Sequence, residues 1–464
     1  MATHMRLGFM GLVLAAVAGC QNVDPALLDP ERVATGIDAR ALAGPDVQAL
    51  FQARGSAWPP AAWDADALTI VALSYHPSMR AARARLEETQ ASIASAGEWP
   101  NPTLSVSPEF NSNAPAALTP WIAAIRIDWV IETGGKRGRR LDRARATAAA
   151  AAFAYRAEAW GVRRRVVSAW IERVAFARRI ASLQAETELL DGQVRAMESR
   201  VADGAASHVD LAAARLSRLG VAQELESERT KLVDASILLA DAIGIPMHAL
   251  DGIDLAGPSV AAARGISEIS RADALGRALY ARSDVLAGIA EYAVAEANLR
   301  LELARQYPDL HLGPGYQYDQ AQDKWSIGLS FDLPLLNQNQ GAIGEAAAAR
   351  TAAAVAFEAT QTRVISEVDA ALARRENLQR ERDAAAALAR ERAIVWERAR
   401  AALAAGAIDR STEELAALEA IRADRMRDAA DFGFLGALGA LEAAVQPATT
   451  WLEDGPASLG GGRS

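Results

Sequence analysis

Four segments of this chain alternate apolar and polar residues with a period of two, and no other feature restricts the fold as tightly. In 103–110, Leu104, Val106, Pro108 and Phe110 oppose Thr103, Ser105, Ser107 and Glu109. In 121–131, Trp121, Ala123, Ile125, Ile127, Trp129 and Ile131 fall on one side, with Arg126 and Asp128 between them. In 309–319, Leu310, Leu312, Pro314, Tyr316 and Tyr318 oppose Asp309, His311, Gln317 and Asp319. In 324–335, Trp325, Ile327, Leu329, Phe331, Leu333 and Leu335 oppose Lys324, Ser326, Ser330 and Asp332. Successive side chains of a strand point to opposite faces, so each segment has one oily and one hydrophilic face. About ten residues with Trp or Tyr near the ends suits a strand of a membrane β-barrel. A half-buried soluble sheet alternates in the same way. Four such segments, arranged as two hairpins in an otherwise helical chain, favour the barrel.

The rest of the chain favours long helices. Hydrophobic residues make up 51% of the 464, but alanine inflates that fraction and only 6% are aromatic. The net charge of −9 and the absence of a basic tract argue against nucleic acid as a partner. Past residue 20 no apolar run reaches the roughly eighteen residues of a spanning helix, so strands are what this chain has for crossing a bilayer. The N-terminus has the pattern of an export signal. Arg6 precedes an apolar run from Leu7 to Ala18, with translation starting at Met1 or Met5. The run ends Val17-Ala18-Gly19-Cys20, and Cys20 is the sole cysteine of the chain. This resembles a bacterial lipobox, which implies lipidation of Cys20; the alternative is a lone buried thiol. Gln21 follows where an Asp would favour inner-membrane retention, which points to the outer membrane.

A long-period repeat organises the chain. Leu73 matches Leu279, and Asn101-Pro102-Thr103-Leu104 matches Tyr307-Pro308-Asp309-Leu310, at an offset that drifts to bring Asp128 against Asp332 and Gly204 against Gly406. Each unit reads helix, strand, loop, strand, very long helix, turn, helix. From Lys136 to Val201 there is no proline, and at ~1.5 Å per residue this is on the order of 100 Å of helix. A heptad seam at Ile180, Leu183, Leu190, Val194, Met197 and Val201, broken by Thr187, predicts coiled-coil packing. Gly204 is expected to end the helix and Ser207 to cap the next, which stops before Pro246. In the second unit a helix from about Glu345 to Ala405 turns at Gly406 and restarts near Ser411. The expected divisions are a signal segment 1–19, a lipidated arm 20–62, a first unit 63–245, a linker 246–271, a second unit 272–445 and a disordered tail 446–464.

Four strands cannot close a barrel, for which about eight is the minimum. In lipid each open edge costs several kcal/mol per unpaired backbone group, so further copies of the chain must complete the ring. The duplicated units, the lipobox and the long helices with Gly-containing turns resemble the outer membrane factor (TolC-like) family over roughly 63–445. Local motifs carry the likeness: Asn101-Pro102-Thr103-Leu104, Glu132-Thr133-Gly134-Gly135-Lys136-Arg137, and 333–341 with Leu333-Pro334-Leu335 and Asn339-Gln340-Gly341. The Gly-Gly-Lys-Arg turn is similar to that of heavy-metal efflux members. The resemblance implies a mostly α fold with a membrane β-barrel. A long α-helical coiled-coil barrel and four β-strands per chain would close as a homotrimeric twelve-stranded barrel. It also implies a periplasmic adaptor protein and an inner-membrane pump, often of the resistance–nodulation–division type.

No catalytic constellation, Walker motif or dinucleotide fingerprint is present, so neither an enzyme nor a cofactor is expected. The histidines at 4, 76, 208, 248 and 311 show no metal-ligand spacing. Three groups of residues are candidates for function. Lys136, Arg137, Arg139 and Arg140 follow the second strand and read either as headgroup contacts with outer-membrane lipid or as a solvated helix face. Ser207-His208-Val209-Asp210-Leu211 resembles the tip segment of the family, which makes Asp210, Glu413 and Glu414 candidates for a periplasmic gate; the alternative is that they decorate helix N-termini. The turns themselves, Gly204, Ala205, Ala206 and Leu211 with Gly406, Ala407 and Ile408, are candidates for adaptor contact. The function expected is the outer-membrane channel of a tripartite efflux pump, a passive conduit from periplasm to exterior for metal ions or small toxic compounds. The exit channel of a type I protein secretion system and a poreless coiled-coil lipoprotein are the alternatives.

Overall fold

The computed structural model describes residues 23, 25–53, 57–115, 118–258 and 264–447. The expected signal segment, Cys20 and nearly all of the expected tail lie outside the described residues. The N-terminal part holds helices α1 (Pro30–Asp38), α2 (Pro45–Ala53), α3 (Ala65–Tyr75) and α4 (Pro77–Ala96). Strands β1 (Thr103–Phe110) and β2 (Trp121–Ile131) follow, then α5 (Lys136–Ala202) and α6 (His208–Ile243). A 3₁₀ turn (Met247–Leu250), a short α7 (Arg264–Ser267) and α8 (Arg271–Ala281) lead into the second unit. That unit is α9 (Ser283–Ala304), β3 (Leu310–Asp319), β4 (Gln322–Phe331), α10 (Gln340–Ala404) and α11 (Arg410–Val445).

The strands form one antiparallel sheet in the order β1-β2-β3-β4, with β1 and β4 at open edges. The helices repeat that order. Next to the sheet α4 packs on α5, α5 on α9, and α9 on α10; further away α6 packs on α5, α5 on α11, and α11 on α10. The 67-residue α5 and the 65-residue α10 therefore run through both levels. Each faces two shorter helices stacked end to end, α4 with α6 and α9 with α11. The two joints are built alike. In the first, the Arg40 guanidinium donates to Tyr75 O at 3.1 Å and to Gly244 O at 2.7 Å. In the second, Arg282 donates to Ala444 O at 3.0 Å, while Ser283 N donates to Gln446 Oε1 at 2.9 Å. Gly244 and Gln446, each just past the end of its helix, both adopt the left-handed conformation.

The core lies at the level of these joints. Leu42 and Phe51 of the N-terminal segment pack with Leu68 and Val71 of α3, Val162, Val166 and Trp170 of α5, and Leu239 and Ile243 of α6. A second cluster joins Ala274 and Ala278 of α8 to Val364 and Val368 of α10 and Leu441 of α11. A cavity of about 620 Å³ is walled by Asp64 and Asp66, Val167 and Trp170, Arg277, and Leu438 and Glu442. The helices α3 and α8 thus share one face of the α5–α11 pair and form a belt over it. Among the described residues no helix is long and apolar enough to cross a membrane.

The fourth strand differs from the segment 324–335 read in the sequence: it runs from Gln322 to Phe331. Its start is set by a two-residue hairpin in which Gln320 and Ala321 both have positive φ, the geometry of a type I′ turn. Its end is set by its partner, because Phe331 pairs with Leu310, the first residue of β3. Before Leu310 stand Pro308, which has no N–H, and Asp309, whose side chain is engaged elsewhere. Leu333 and Leu335 therefore lie beyond the ladder. The helix α10 begins at Gln340, earlier than Glu345, after Asn339 in the left-handed conformation; Asn tolerates this better than most residues.

Candidate functional site: the two-faced sheet and the helical turns

Strand registers settle whether four alternating segments make one two-faced wall. Thr103 pairs with Asp128, Ser105 with Arg126, Arg126 with Gly315, His311 with Ser330, and Gln317 with Lys324. On the other face Leu104 pairs with Ile127, Phe110 with Trp121, Ile125 with Tyr316, Leu312 with Leu329, and Tyr316 with Trp325. Through the middle of the sheet polar residues thus meet polar or small ones and apolar residues meet apolar; the exceptions, Glu109 with Ile122, Ile122 with Asp319, Val130 with His311 and Tyr318 with Asp323, stand at or next to the strand ends. A one-residue slip anywhere would mix the faces. The apolar face is uncovered in the protomer: Trp325 and Ile327 are each 81% exposed. Its aromatic pairs, Phe110–Trp121 and Tyr316–Trp325, have centroids 5.1 and 5.0 Å apart and lie toward the strand ends remote from the helices. The polar face carries its own pairs, His311 Nδ1 to Asp128 Oδ2 at 2.9 Å and Lys324 Nζ to Asp319 Oδ2 at 2.6 Å.

The basic cluster at the start of α5 is largely taken up inside the protomer. Lys136 pairs with Asp309 at 2.8 Å, and Asp309 also accepts from Thr133 N at 3.0 Å. Arg137 donates to Gly97 O at 2.6 Å and lies over the Trp99 ring. Arg140 makes a two-pronged pair with Glu132 and reaches Glu98 O at 3.1 Å. Arg139, beside Asp142 at 3.5 Å, is the most solvent-facing of the four. These bonds fasten the strand–helix junction of the first unit to α4 and to the base of β3. They also place carboxylates against cations that the helix N-terminus would otherwise disfavour. Gly134 of the same turn cannot be replaced: its φ is +63°, and a Cβ there would stand 2.8 Å from Ala304 O. The partners Asp309 and Glu132 were visible in the sequence only as a strand residue and a motif residue.

At the opposite ends of α5 and α10 the two turns lie side by side, since the Arg200 charge acts on both Asp210 and Asp409. Gly204 and Gly406 follow the helix ends with φ of 71° and 70°. Asp210 completes a capping box: Asp210 N donates to Ser207 Oγ at 3.1 Å, and Asp210 Oδ2 accepts from Ser207 N and Oγ. Hydrogen bonds from the Ser207 hydroxyl and backbone, then the Arg200 charge, hold the Asp210 carboxyl below its ordinary range. In the second unit the residue types are exchanged. Asp409 accepts from Thr412 N at 2.9 Å and from Thr412 Oγ1 at 2.6 Å. Glu413 accepts from Trp396 Nε1 at 2.9 Å, and Glu414 is buried against Arg410 at 3.0 Å. Of the turn residues, Gly204, Ala205, Gly406 and Ala407 are exposed, Ala206 and Ile408 half-buried, and Leu211 buried. The Trp396 bond to Glu413 has no local sequence signal, because it spans the helical hairpin.

A sheet with one apolar and one polar face, standing on duplicated helical rods that share its strand order, is the protomer of a TolC-like channel fold. Residues 70–245 match the outer membrane efflux protein family. The cobalt-zinc-cadmium resistance protein CzcC of Cupriavidus metallidurans is 26% identical over 270 residues, 57% of this chain and 61% of the relative, so the match spans under two thirds of that protein. The outer-membrane channel OprN superposes with a TM-score of 0.66 at 16% identity, over 92% of this chain and 99% of that one. The Campylobacter jejuni CmeC outer membrane channel superposes with a TM-score of 0.65 at 15% identity, over 93% and 96%. The family match thus lies in the first unit, and the likeness to the solved channels extends the same fold over both units.

Proposed function

We propose that the chain is the protomer of the outer-membrane channel of a tripartite efflux pump, closing as a homotrimer around a twelve-stranded barrel. The observation that carries this reading is the register of the sheet, which keeps the polar positions of its central part on one face while leaving the outer edges of β1 and β4 unpaired. Open edges in lipid leave backbone groups unsatisfied, and pairing β4 of one copy with β1 of the next removes the cost. The helical layer calls for the same closure. Its lower edge helices α6 and α10 carry uncovered Leu216, Leu219, Val233 and Ile237 on one side and Leu388, Ile394 and Val395 on the other. The bore then lies on the face turned away from the α3–α8 belt, continuous with the polar face of the sheet.

The exposed Gly204, Ala205, Gly406 and Ala407 fit a periplasmic tip that meets an adaptor protein joined to an inner-membrane pump of the resistance–nodulation–division type. Asp210, in the cap but facing solvent, is the carboxylate of the three gate candidates best placed to act at a narrowing of the bore. Cys20 supplies the lipid anchor in this reading. The CzcC likeness favours metal ions over larger compounds as cargo. Light scattering of the detergent-extracted protein, followed by single-channel recording in planar bilayers, tests the reading. A closed trimer that conducts is expected, and a stable monomer or a silent bilayer overturns it.

A further inference from the structure

The two helix joints differ in charge, and the difference makes a site. At the second joint α9 and α11 abut between α5 and α10, leaving a cleft of about 430 Å³. Ala157, Gly161, Ala370 and Ala440 provide the room, and four arginines line it: Arg164, Arg282, Arg363 and Arg374. Two carboxylates share the space, and both are already committed. Asp284 accepts from Arg282 at 2.7 Å and from Arg363 at 3.1 Å, and Glu367 pairs with the same two arginines at 2.8 and 3.1 Å. Arg282 is 4% exposed, so this quartet is a fixed, neutral floor. Arg164 and Arg374 are solvent-facing and have no hydrogen-bonding or ion-pair partner among the described residues. The cleft therefore carries two unmatched positive charges on a chain whose net charge is −9. At the first joint a carboxylate answers the exposed arginine: there Arg165 pairs with Glu158, and Ser78 donates to that same Glu158.

The cleft opens away from the belt. On α11 the belt-side cavity takes Leu435, Leu438 and Glu442, whereas the cleft takes Ala440 and Ala443, a third to a half turn round the helix. We propose that this cleft binds small oxyanions, phosphate-like or carboxylate-bearing, as they pass through the bore, so that the conduit favours anionic solutes at this level. The inference rests on the channel reading for the position of the bore. Two guanidinium forks suit such ligands because each offers paired N–H donors in the geometry of a carboxylate or phosphate edge. Three copies would place six such forks around one level.

The test is calorimetric titration of the purified oligomer with inorganic phosphate and, separately, citrate, alongside reversal potentials in a KCl gradient. Wild type should bind, and Arg164→Gln/Arg374→Gln should weaken binding by about tenfold or more through loss of two charge-assisted contacts. The chloride-to-potassium permeability ratio should fall in the same variant. Gly161→Asp puts a carboxylate into open space at the cleft, one helical turn before Arg164, without replacing either arginine, and it should abolish binding while the oligomer persists. Phosphate without citrate, or the reverse, identifies which oxyanion the cleft takes. A conducting wild type with no anion binding, or variants that titrate like wild type, overturns this proposal and leaves the channel standing. Arginine variants that dissociate into monomers while the wild type binds no anion assign Arg164 and Arg374 to a subunit contact instead. A silent bilayer with intact phosphate binding overturns the channel reading but not the site.

Discussion

The Glu186 carboxylate of α5, fully buried, accepts from Arg425 of α11 at 2.6 Å, and Arg422 completes its coordination at 2.8 Å. Residues 236 and 239 positions apart in the chain thus close one ionic knot between the two units. Leu183 and Leu190 pack above and below it with Leu418. A carboxylate in such surroundings is tolerable only because both of its oxygens are claimed. Removing it strands two guanidiniums against an apolar seam. Glu186→Ala is expected to cost about 3 kcal/mol, the lower end for a broken buried pair because Arg422 keeps part of its hydration. Glu186→Leu should cost less, since it extends the seam. Hydrogen exchange over 180–195 and 415–430 reads both, and unchanged protection in Glu186→Ala removes the knot from the account.

The two faces of the sheet give opposite responses to one substitution. An arginine at Ile127 or Leu329 puts a charge on the apolar face and should impair insertion by ~2–4 kcal/mol near the membrane midplane. The same arginine at Ser105 or Ser330 faces the polar side, opposite Arg126 or His311, and its effect should be much milder. Heat-modifiable assembly on gels reports insertion. Equal tolerance of the two faces would falsify the barrel.

The tip caps make a swap experiment possible. Ser207 with Asp210 and Asp409 with Thr412 do the same work with acid and hydroxyl exchanged. Ser207→Ala should loosen its turn by about 1 kcal/mol, and Asp409→Ala should loosen the other turn in the same sense. Ser207→Asp combined with Asp210→Thr should restore the first turn in the manner of the second. Both acids are held below their ordinary values, chiefly by hydrogen bonds from their cap partners. Their contribution is therefore present above an unfolded value of about 3.9 and lost only as pH falls through the lower folded one. Protease sensitivity at 203–208 and 405–410 should stay flat down to about pH 5, still above that range. A turn that loosens already there implies another titrating group.

What the sequence disclosed follows from how local each signal is. Period-two alternation, the proline-free run of α5 and the Gly204 and Ser207 punctuation are properties of contiguous residues, and the corresponding elements stand within a few residues of where they were read. The end of β4 was missed because it depends on Pro308 and Asp309 at the base of a neighbouring strand. The headgroup reading of Lys136, Arg137 and Arg140 likewise could not include Asp309, Gly97 and Glu132, which the fold brings to them. Glu186 sits one position away from the heptad residue Thr187, so its burial follows from α11 crossing there and not from periodicity. The end-to-end joints were invisible for the same reason, since the carbonyls of Tyr75 and Ala444 meet their guanidiniums only in three dimensions.

The first joint should respond to pH where the second does not. His76 caps α4 by accepting from Ser78 N at 3.2 Å through Nδ1, so that nitrogen must carry no proton. Burial, and then the Arg165 charge, push its pKa down against the opposing pull of Asp241 and Glu158. The unfolded chain binds a proton at about 6.5 while the folded joint still refuses it. Stability is thus complete above that value and drains away as pH falls toward the lower folded pKa. At the equivalent place Arg282 is charged throughout: burial opposes its charge, but the bonds and charges of Asp284 and Glu367 raise it above an ordinary arginine. Hydrogen exchange, corrected for its intrinsic pH dependence, should accelerate over 77–82 between about pH 7 and 5 and remain steady over 283–288. His76→Asn keeps a cap acceptor without a titrating group, and it should flatten the first joint's response. A persistent acceleration in that variant would place the sensitive group elsewhere.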